Sequence, residues 1–299
     1  MWPAMIHLRA RAVMPPQLAP VRELPSVVMT WLVECALCRR PAKGIFHSTV
    51  RFHSRVVAMQ ASSRVITTNQ HGPHQDLVRR VLRANESAFQ RPPAAHTYNA
   101  FDKASDWLSR QGAPVILDAG CGVGLSTRLL ARQYPDHAVI GVDRSEQRLS
   151  RDHGELPANA LLVRADLVDF WRLAVAADWR PTRHYLLYPN PYPKSTQLKK
   201  RWQGHPVFPT ILALGGLLEL RSNWEVYVSE FALGVATLRG LEGELASFTP
   251  GPSFLTPFEQ KYFESGQTLW RYRVDLSARV DLSATRGECR HRSHQDIDS

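Results

Sequence analysis

Cysteine is scarce in this chain. Four in 299 residues (Cys35, Cys38, Cys121 and Cys289) are too few and too scattered for a disulfide framework, so a reducing, cytoplasmic compartment is expected. Long hydrophobic runs are lacking too. The longest, residues 27–38, is interrupted by Thr30 and Glu34 and falls short of the ~18 apolar residues a membrane span needs. Metal-ligand spacing is missing: the 12 histidines are scattered with no His-x-x-x-His, and Cys35-Ala-Leu-Cys38 has no partner pair. No metal and no membrane are therefore expected. Acid is in deficit, 27 Asp+Glu against 37 Lys+Arg, for a net charge of +10. So basic a balance points to a polyanion, nucleic acid first, although a basic tail would give the same total.

What is present divides into three parts. Residues 1–60 hold eight Lys/Arg against two acids, Glu23 and Glu34, together with all five methionines of the chain. Pro3, Pro15, Pro16, Pro20 and Pro25 break any long helix in the first half of that stretch. It reads as a basic extension: disordered, a targeting leader, or translated sequence upstream of a start at Met59. Residues 61–278 alternate between short apolar runs and helical periodicity. Strands are expected at 115–118, 137–143, 160–166, 184–190 and 217–221, with a late edge strand at 270–276. Helices are expected near 78–82, 101–108, 125–134, 168–177, 208–214 and 224–238. That alternation predicts an α/β domain with a mostly parallel sheet covered by helices on both faces. Residues 279–299 are polar and read as a disordered tail.

The chemistry begins where the first strand ends, at Asp118-Ala-Gly120-Cys-Gly122-Val-Gly124. Ligands of such sheets bind beyond the carboxyl ends of the strands, and glycines let backbone turn sharply against them. A dinucleotide fingerprint would need glycine where Leu125 stands, so that reading fails by one position. The GxGxG form instead resembles the S-adenosylmethionine (SAM) loop of class I methyltransferases. Asp143 and Asp166 end the next two strands. Asp143 is placed to accept from ribose hydroxyls, Asp166 to meet the adenine edge, and Asp118 to accept from the methionine ammonium. Each could alternatively be a helix cap or turn former. Cys121 has no paired base nearby and reads as small-residue packing rather than a nucleophile.

Past the fourth strand comes Tyr188-Pro-Asn190-Pro-Tyr192-Pro-Lys194, then a run with Lys199, Lys200, Arg201 and Trp202 that contains no acid. The prolines fix the backbone around Asn190. The run reads as a phosphate-contact loop carrying an aromatic able to stack on a base. Trp224 is read as either a stacking residue or core. This segment resembles the FPDPWPK…KRR signature of the bacterial tRNA (guanine-N7)-methyltransferase family. Ser222-Asn223-Trp224-Glu-Val-Tyr227 is similar to that family's TDWxxYA, and Thr256-Pro-Phe-Glu259…Gly266 to its T-x-F-E…G element. The resemblance covers roughly residues 75–276.

It implies a class I SAM-dependent methyltransferase (Rossmann-like) fold with a seven-stranded sheet, which uses SAM to methylate guanine N7 in tRNA, at position 46 of the variable loop; the oligomeric state is left open, with a monomer the first expectation. Asp118, Gly120, Gly122, Gly124, Asp143, Asp166 and Asn190 then hold the cofactor, with Asn190 also at the catalytic position. Lys194, Lys199, Lys200, Arg201, Asn223, Thr256 and Glu259 then meet the tRNA, and Glu259 is placed to accept from guanine N1–H and N2–H. Two departures stand out: the family's aspartates in PDPW and TDW are here Asn190 and Asn223. They open two rival readings. One is an amino-group methyltransferase of the Asn-Pro-Pro-Tyr kind, and the other a SAM-fold protein that binds RNA without turnover.

Overall fold

Strands buried on both faces have no polar side to show, so they appear in sequence as unbroken apolar runs. In the computed structural model, which describes residues 63–87 and 89–278, these runs become β1 (Val115–Ala119), β2 (Ala138–Asp143), β3 (Ala160–Arg164), β4 (Arg183–Leu187) and β5 (Leu217–Ser222). All pair in parallel. With β6 (Glu244–Phe248) and β7 (Leu269–Asp275) they form one seven-stranded sheet in the order β3-β2-β1-β4-β5-β7-β6. The expectations for residues 1–60 and 279–299 lie outside the described residues.

One expectation is corrected. The late strand is not an edge: β7 lies antiparallel between β5 and β6. The edge is β6, Glu-Leu-Ala-Ser-Phe, in which no residue is fully buried, so it carries no apolar run to announce it.

The helices are α1 (Leu77–Glu86), α2 (Ala95–Gln111), α3 (Leu125–Gln133), the short α4 (Glu146–Leu149), α5 (Leu167–Ala176), α6 (Phe208–Ala213), α7 (Glu225–Arg239) and α8 (Pro257–Glu264). Glycine ends α2 and α7: Gly112 and Gly240 adopt φ of 58° and 62° and return their N–H groups to Leu108 O and Ala236 O. The period-2 alternation of the strands sorts the core into two. Leu117, Ile140, Val142 and Leu186 join the larger cluster with α1, α2, α5, α6 and α7. Ile116, Val139, Tyr185 and Leu187 join the smaller one with Leu130 and Ala131 of α3. Both faces are thereby closed.

Strand order reverses at β1, which has β2 on one side and β4 on the other. The crevice above that point lies between the β1–α3 loop and the turn beyond β4. Because β7 is antiparallel, its first residues sit at the same sheet edge, Trp270 opposite Ser222. That brings α8 to the crevice as well.

Candidate active site

Asp118 ends β1 fully buried, its Oδ2 accepting from Ser126 Oγ at 2.6 Å and Thr127 Oγ1 at 2.7 Å. Its other oxygen, Oδ1, has no hydrogen-bond partner. A buried carboxylate oxygen left so costs free energy unless a donor comes to it. Burial pushes the Asp118 pKa up to about 6, against the lowering effect of the two hydroxyls and with a further push from Asp143.

The loop after Asp118 is left-handed at Gly120, Gly122 and Gly124, with φ of 82°, 59° and 73°. At Gly124 a Cβ would come within 2.8 Å of Leu162 Cδ2, so the Leu162 and Arg128 side chains would have to move, on top of the strain of its positive φ. At Gly122 a Cβ would meet nothing within 4 Å, so the demand there is conformational and the space beside it is open. Asp143 secures the loop: Oδ2 accepts from Gly122 N at 3.0 Å and Oδ1 from Ser145 N at 2.8 Å. Asp166 follows β3 and caps α5 through Val168 N at 2.9 Å, while its side chain stays 36% exposed and 3.6 Å from Arg91. It is a helix cap whose carboxylate stays partly open to solvent. Cys121 is buried, and burial with the nearby Asp118 and Asp143 pushes its thiol well up, which makes it a poor nucleophile.

These features suit SAM: a buried acid with one unpartnered oxygen for an ammonium group, open space at Gly122 for close approach, and a second acid at the end of β2.

The turn beyond β4 is strained. Among the described residues three non-glycines have positive φ, and two of them, Tyr188 at 52° and Tyr192 at 44°, bracket Asn190. Such residues cost about 1–3 kcal/mol each and persist only where the surroundings enforce them. Here the surroundings are visible. Tyr188 N donates to Arg221 O at 2.8 Å, and its hydroxyl donates to Glu259 Oε2 at 3.0 Å. Arg201 donates twice to Tyr192 O at 3.1 Å, and Thr68 Oγ1 donates to Pro193 O at 2.8 Å. Asn190 itself is exposed, with Oδ1 3.4 Å from Tyr192 N.

Several expected RNA contacts take other places. Lys194, Lys199 and Lys200 are exposed, as a phosphate lip requires. Arg201 is not: its side chain is 0% exposed, paired with Glu230 at 2.7 Å and lying over the Trp224 ring at 4.8 Å. Gln70 and Gln203 donate to the same carboxylate at 2.6 and 2.9 Å. Arg201 is thus the internal anchor of the turn, because meeting a phosphate would strand Glu230 as an unpaired buried charge. Trp202, partly buried, packs edge-on against Trp171 of the main core, centroids 4.7 Å apart, and Trp224 is buried beneath Arg201.

Glu259 is also internal. It is buried, and its oxygens receive Leu255 N at 3.1 Å, Tyr188 Oη at 3.0 Å and Arg221 Nη1 at 2.8 Å. Those three donors, and not an open edge for guanine, are what its oxygens face in this structure. Glu259 instead ties α8 to the acceptor turn. Thr256 caps α8 by accepting from Glu259 N at 3.0 Å, and half-buried Asn223 donates to Gln267 Oε1 at 2.8 Å. Sequence reading missed Tyr188, Arg221, Glu230 and Gln70 as organisers of the turn. Their partners lie 29 to 160 positions away in sequence, and no local pattern marks such pairs.

Among the described residues no helix is long and apolar enough to cross a membrane.

A family model described as "Putative methyltransferase" matches residues 112–272, from just before β1 into β7. A curated tRNA (guanine-N(7)-)-methyltransferase of Methylobacillus flagellatus is 28% identical over 174 residues, 54% of this chain and 72% of that protein. One of Bordetella parapertussis is 30% identical over 169 residues, 53% of this chain and 65% of that protein. One of Nitrosospira multiformis is 23% identical over 220 residues, 67% of this chain and 95% of that protein. With the sheet order and the glycine loop already placed, the chain is a SAM-dependent methyltransferase of the class I fold and belongs to the methyltransferase family of that model.

Proposed function

We propose that the chain transfers the methyl group of SAM to N7 of a guanine in tRNA, the variable-loop guanine at position 46, in the cytoplasm. The observation that carries the reading is the braced turn Tyr188–Lys194 at the switch point, followed by exposed Lys199 and Lys200. The names of the curated relatives supply the substrate.

Asp118 Oδ1 would take the ammonium of the methionine moiety, Asp143 the ribose hydroxyls and Asp166 the adenine edge, with Gly120, Gly122 and Gly124 giving way to the cofactor. SAM supplies an activated methyl on a sulfonium. Guanine N7 has an in-plane lone pair and no proton to lose, so the protein needs no general base. The N7–CH3 bond forms as the S–CH3 bond breaks, S-adenosylhomocysteine leaves, and the positive charge passes from sulfur to the base. The residues need only hold the base in line and tolerate that charge. Asn190, fixed between two prolines and two strained tyrosines, is the orienting group. Lys194, Lys199 and Lys200 would receive phosphates.

Cofactor binding should depend on pH. The Asp118 pKa in the fold, about 6, stands above its ordinary 3.8. Its contribution to stability is therefore complete below about pH 4 and is lost as pH rises through 6. A cationic ammonium favours the charged carboxylate, so SAM affinity should fall as pH drops through 6, approaching about tenfold per pH unit. Calorimetry at pH 5, 6, 7 and 8 checks this, and a flat profile would remove Asp118 from the site.

The departure at Asn190 is tested by Asn190→Asp with the modified nucleotide mapped in a tRNA transcript. If N7 transfer is right, aspartate raises the rate, on the order of 100-fold for one preorganised group. If aspartate abolishes methylation of another atom, the amino-group reading replaces this one.

A further inference from the structure

Arg79, Arg80 and Arg83 stand on one flank of α1. Together with Ser87, Gly204 and Pro206 they line a cavity of about 320 Å³ to which no carboxylate contributes. The opposite flank of α1 is fixed, since Leu77 and Val81 are buried in the main core. The helix therefore cannot roll to carry the three arginines away from the cavity. Arg79 touches Asp76 at 2.8 Å, but with 79% of its side chain exposed that pair adds little. Arg80 donates to Gly204 O at 3.3 Å. Arg83 is exposed one turn from Arg79, and like charges at that spacing weaken a helix slightly. Fold stability does not account for the trio, whereas an anion in the cavity would. A guanidinium fork matches phosphate better than an ammonium does.

The cavity is also joined to the acceptor turn. Gly204 N bonds to Arg201 O at 3.0 Å, and the Arg201 side chain is anchored by Glu230 beneath Tyr192. The lip of Lys194, Lys199 and Lys200 and the arginine cavity are therefore parts of one braced segment. We infer that the α1 cavity grips a backbone phosphate of the RNA substrate outside the acceptor turn. The inference rests on the tRNA reading above.

The test uses the full chain and a fluorescent tRNA transcript, with binding followed by anisotropy between 50 and 200 mM salt. Wild type is compared with the double variant Arg79→Gln, Arg83→Gln, and Arg80 is kept because it holds Gly204. The expected result is a Kd for RNA raised about tenfold and a log–log salt slope shallower by about 1. SAM affinity should be unchanged, and the melting temperature unchanged or raised. Wild-type binding with no change in Kd or slope for the variant overturns the cavity and leaves the proposed function standing. A variant that loses RNA affinity, alongside a wild type that moves no methyl to tRNA, upholds the cavity and overturns the proposed function. Wild type that binds no RNA overturns both.

Discussion

Glu230→Ala is expected to destabilise the protein by about 3–5 kcal/mol, the cost of leaving one member of a buried pair charged and unpartnered. For a domain of this size that is a fall in melting temperature of roughly 10 °C. The effect should reach the acceptor turn, because Arg201 is held by Glu230 and itself holds the Tyr192 carbonyl at 3.1 Å. Tyr192, with its φ of 44°, is one of the two strained residues that bracket Asn190. Once Arg201 is free to swing to solvent, Tyr192 should relax and the turn lose its geometry, so kcat should fall more than KM for SAM rises. The double variant Glu230→Ala, Arg201→Met removes the orphan charge and should recover much of the stability but not the activity. Thermal melts and single-turnover rates of the three proteins check this. Equal stability of Glu230→Ala and wild type would mean that the pair is not the turn's anchor.

Asp118→Asn is expected to act with opposite signs on stability and on binding. The wild-type acid is forced to ionise at neutral pH while buried with one oxygen unpartnered, which costs the free protein on the order of 3 kcal/mol by the displacement of its pKa to about 6. Asparagine keeps an oxygen for Ser126 and Thr127 and removes the charge, so the cofactor-free melting temperature should rise at pH 8. Its amide nitrogen would then face the ammonium of SAM, donor against donor, and a charge-assisted bond of about 1.5–3 kcal/mol would be lost. SAM affinity should fall roughly 100-fold, and the pH dependence between 5 and 7 should vanish with the carboxylate. Melting scans and calorimetry of the same preparations read both effects. A variant that binds SAM as wild type does would place the ammonium elsewhere.

Much of this molecule is legible in its sequence because both strong signals are local. Val115-Ile-Leu and Ala138-Val-Ile are runs that only a two-faced burial explains, and they lie within β1 and β2. The glycines at 120, 122 and 124 announce left-handed backbone, and all three adopt it. What was hidden depends on partners distant in sequence. β6 has an edge strand's half-polar composition and nothing to separate it from a loop. Arg201 belongs to a run with no acid, and it reads as a phosphate contact until its counter-ion appears 29 positions on in α7. A glutamate on a helix looks the same in sequence whether it faces water or a buried guanidinium. Glu259 misleads in the same way, since its partners Arg221 and Tyr188 come from the β5 and β4 ends of the sheet. The acceptor site is therefore spelled out locally in its backbone, by proline and strain, while its bracing is spelled out only in three dimensions.

The most direct measurement is of the product. The full chain is incubated with methyl-labelled SAM and an unmodified tRNA transcript, and the digested nucleosides are resolved by mass spectrometry, with the position mapped by cleavage at the modified base. The expected result is labelled 7-methylguanosine at the variable-loop guanine, and no label when that guanine is replaced by adenine. Label on an exocyclic amino group, or SAM bound by a folded protein with no label in RNA, would contradict it.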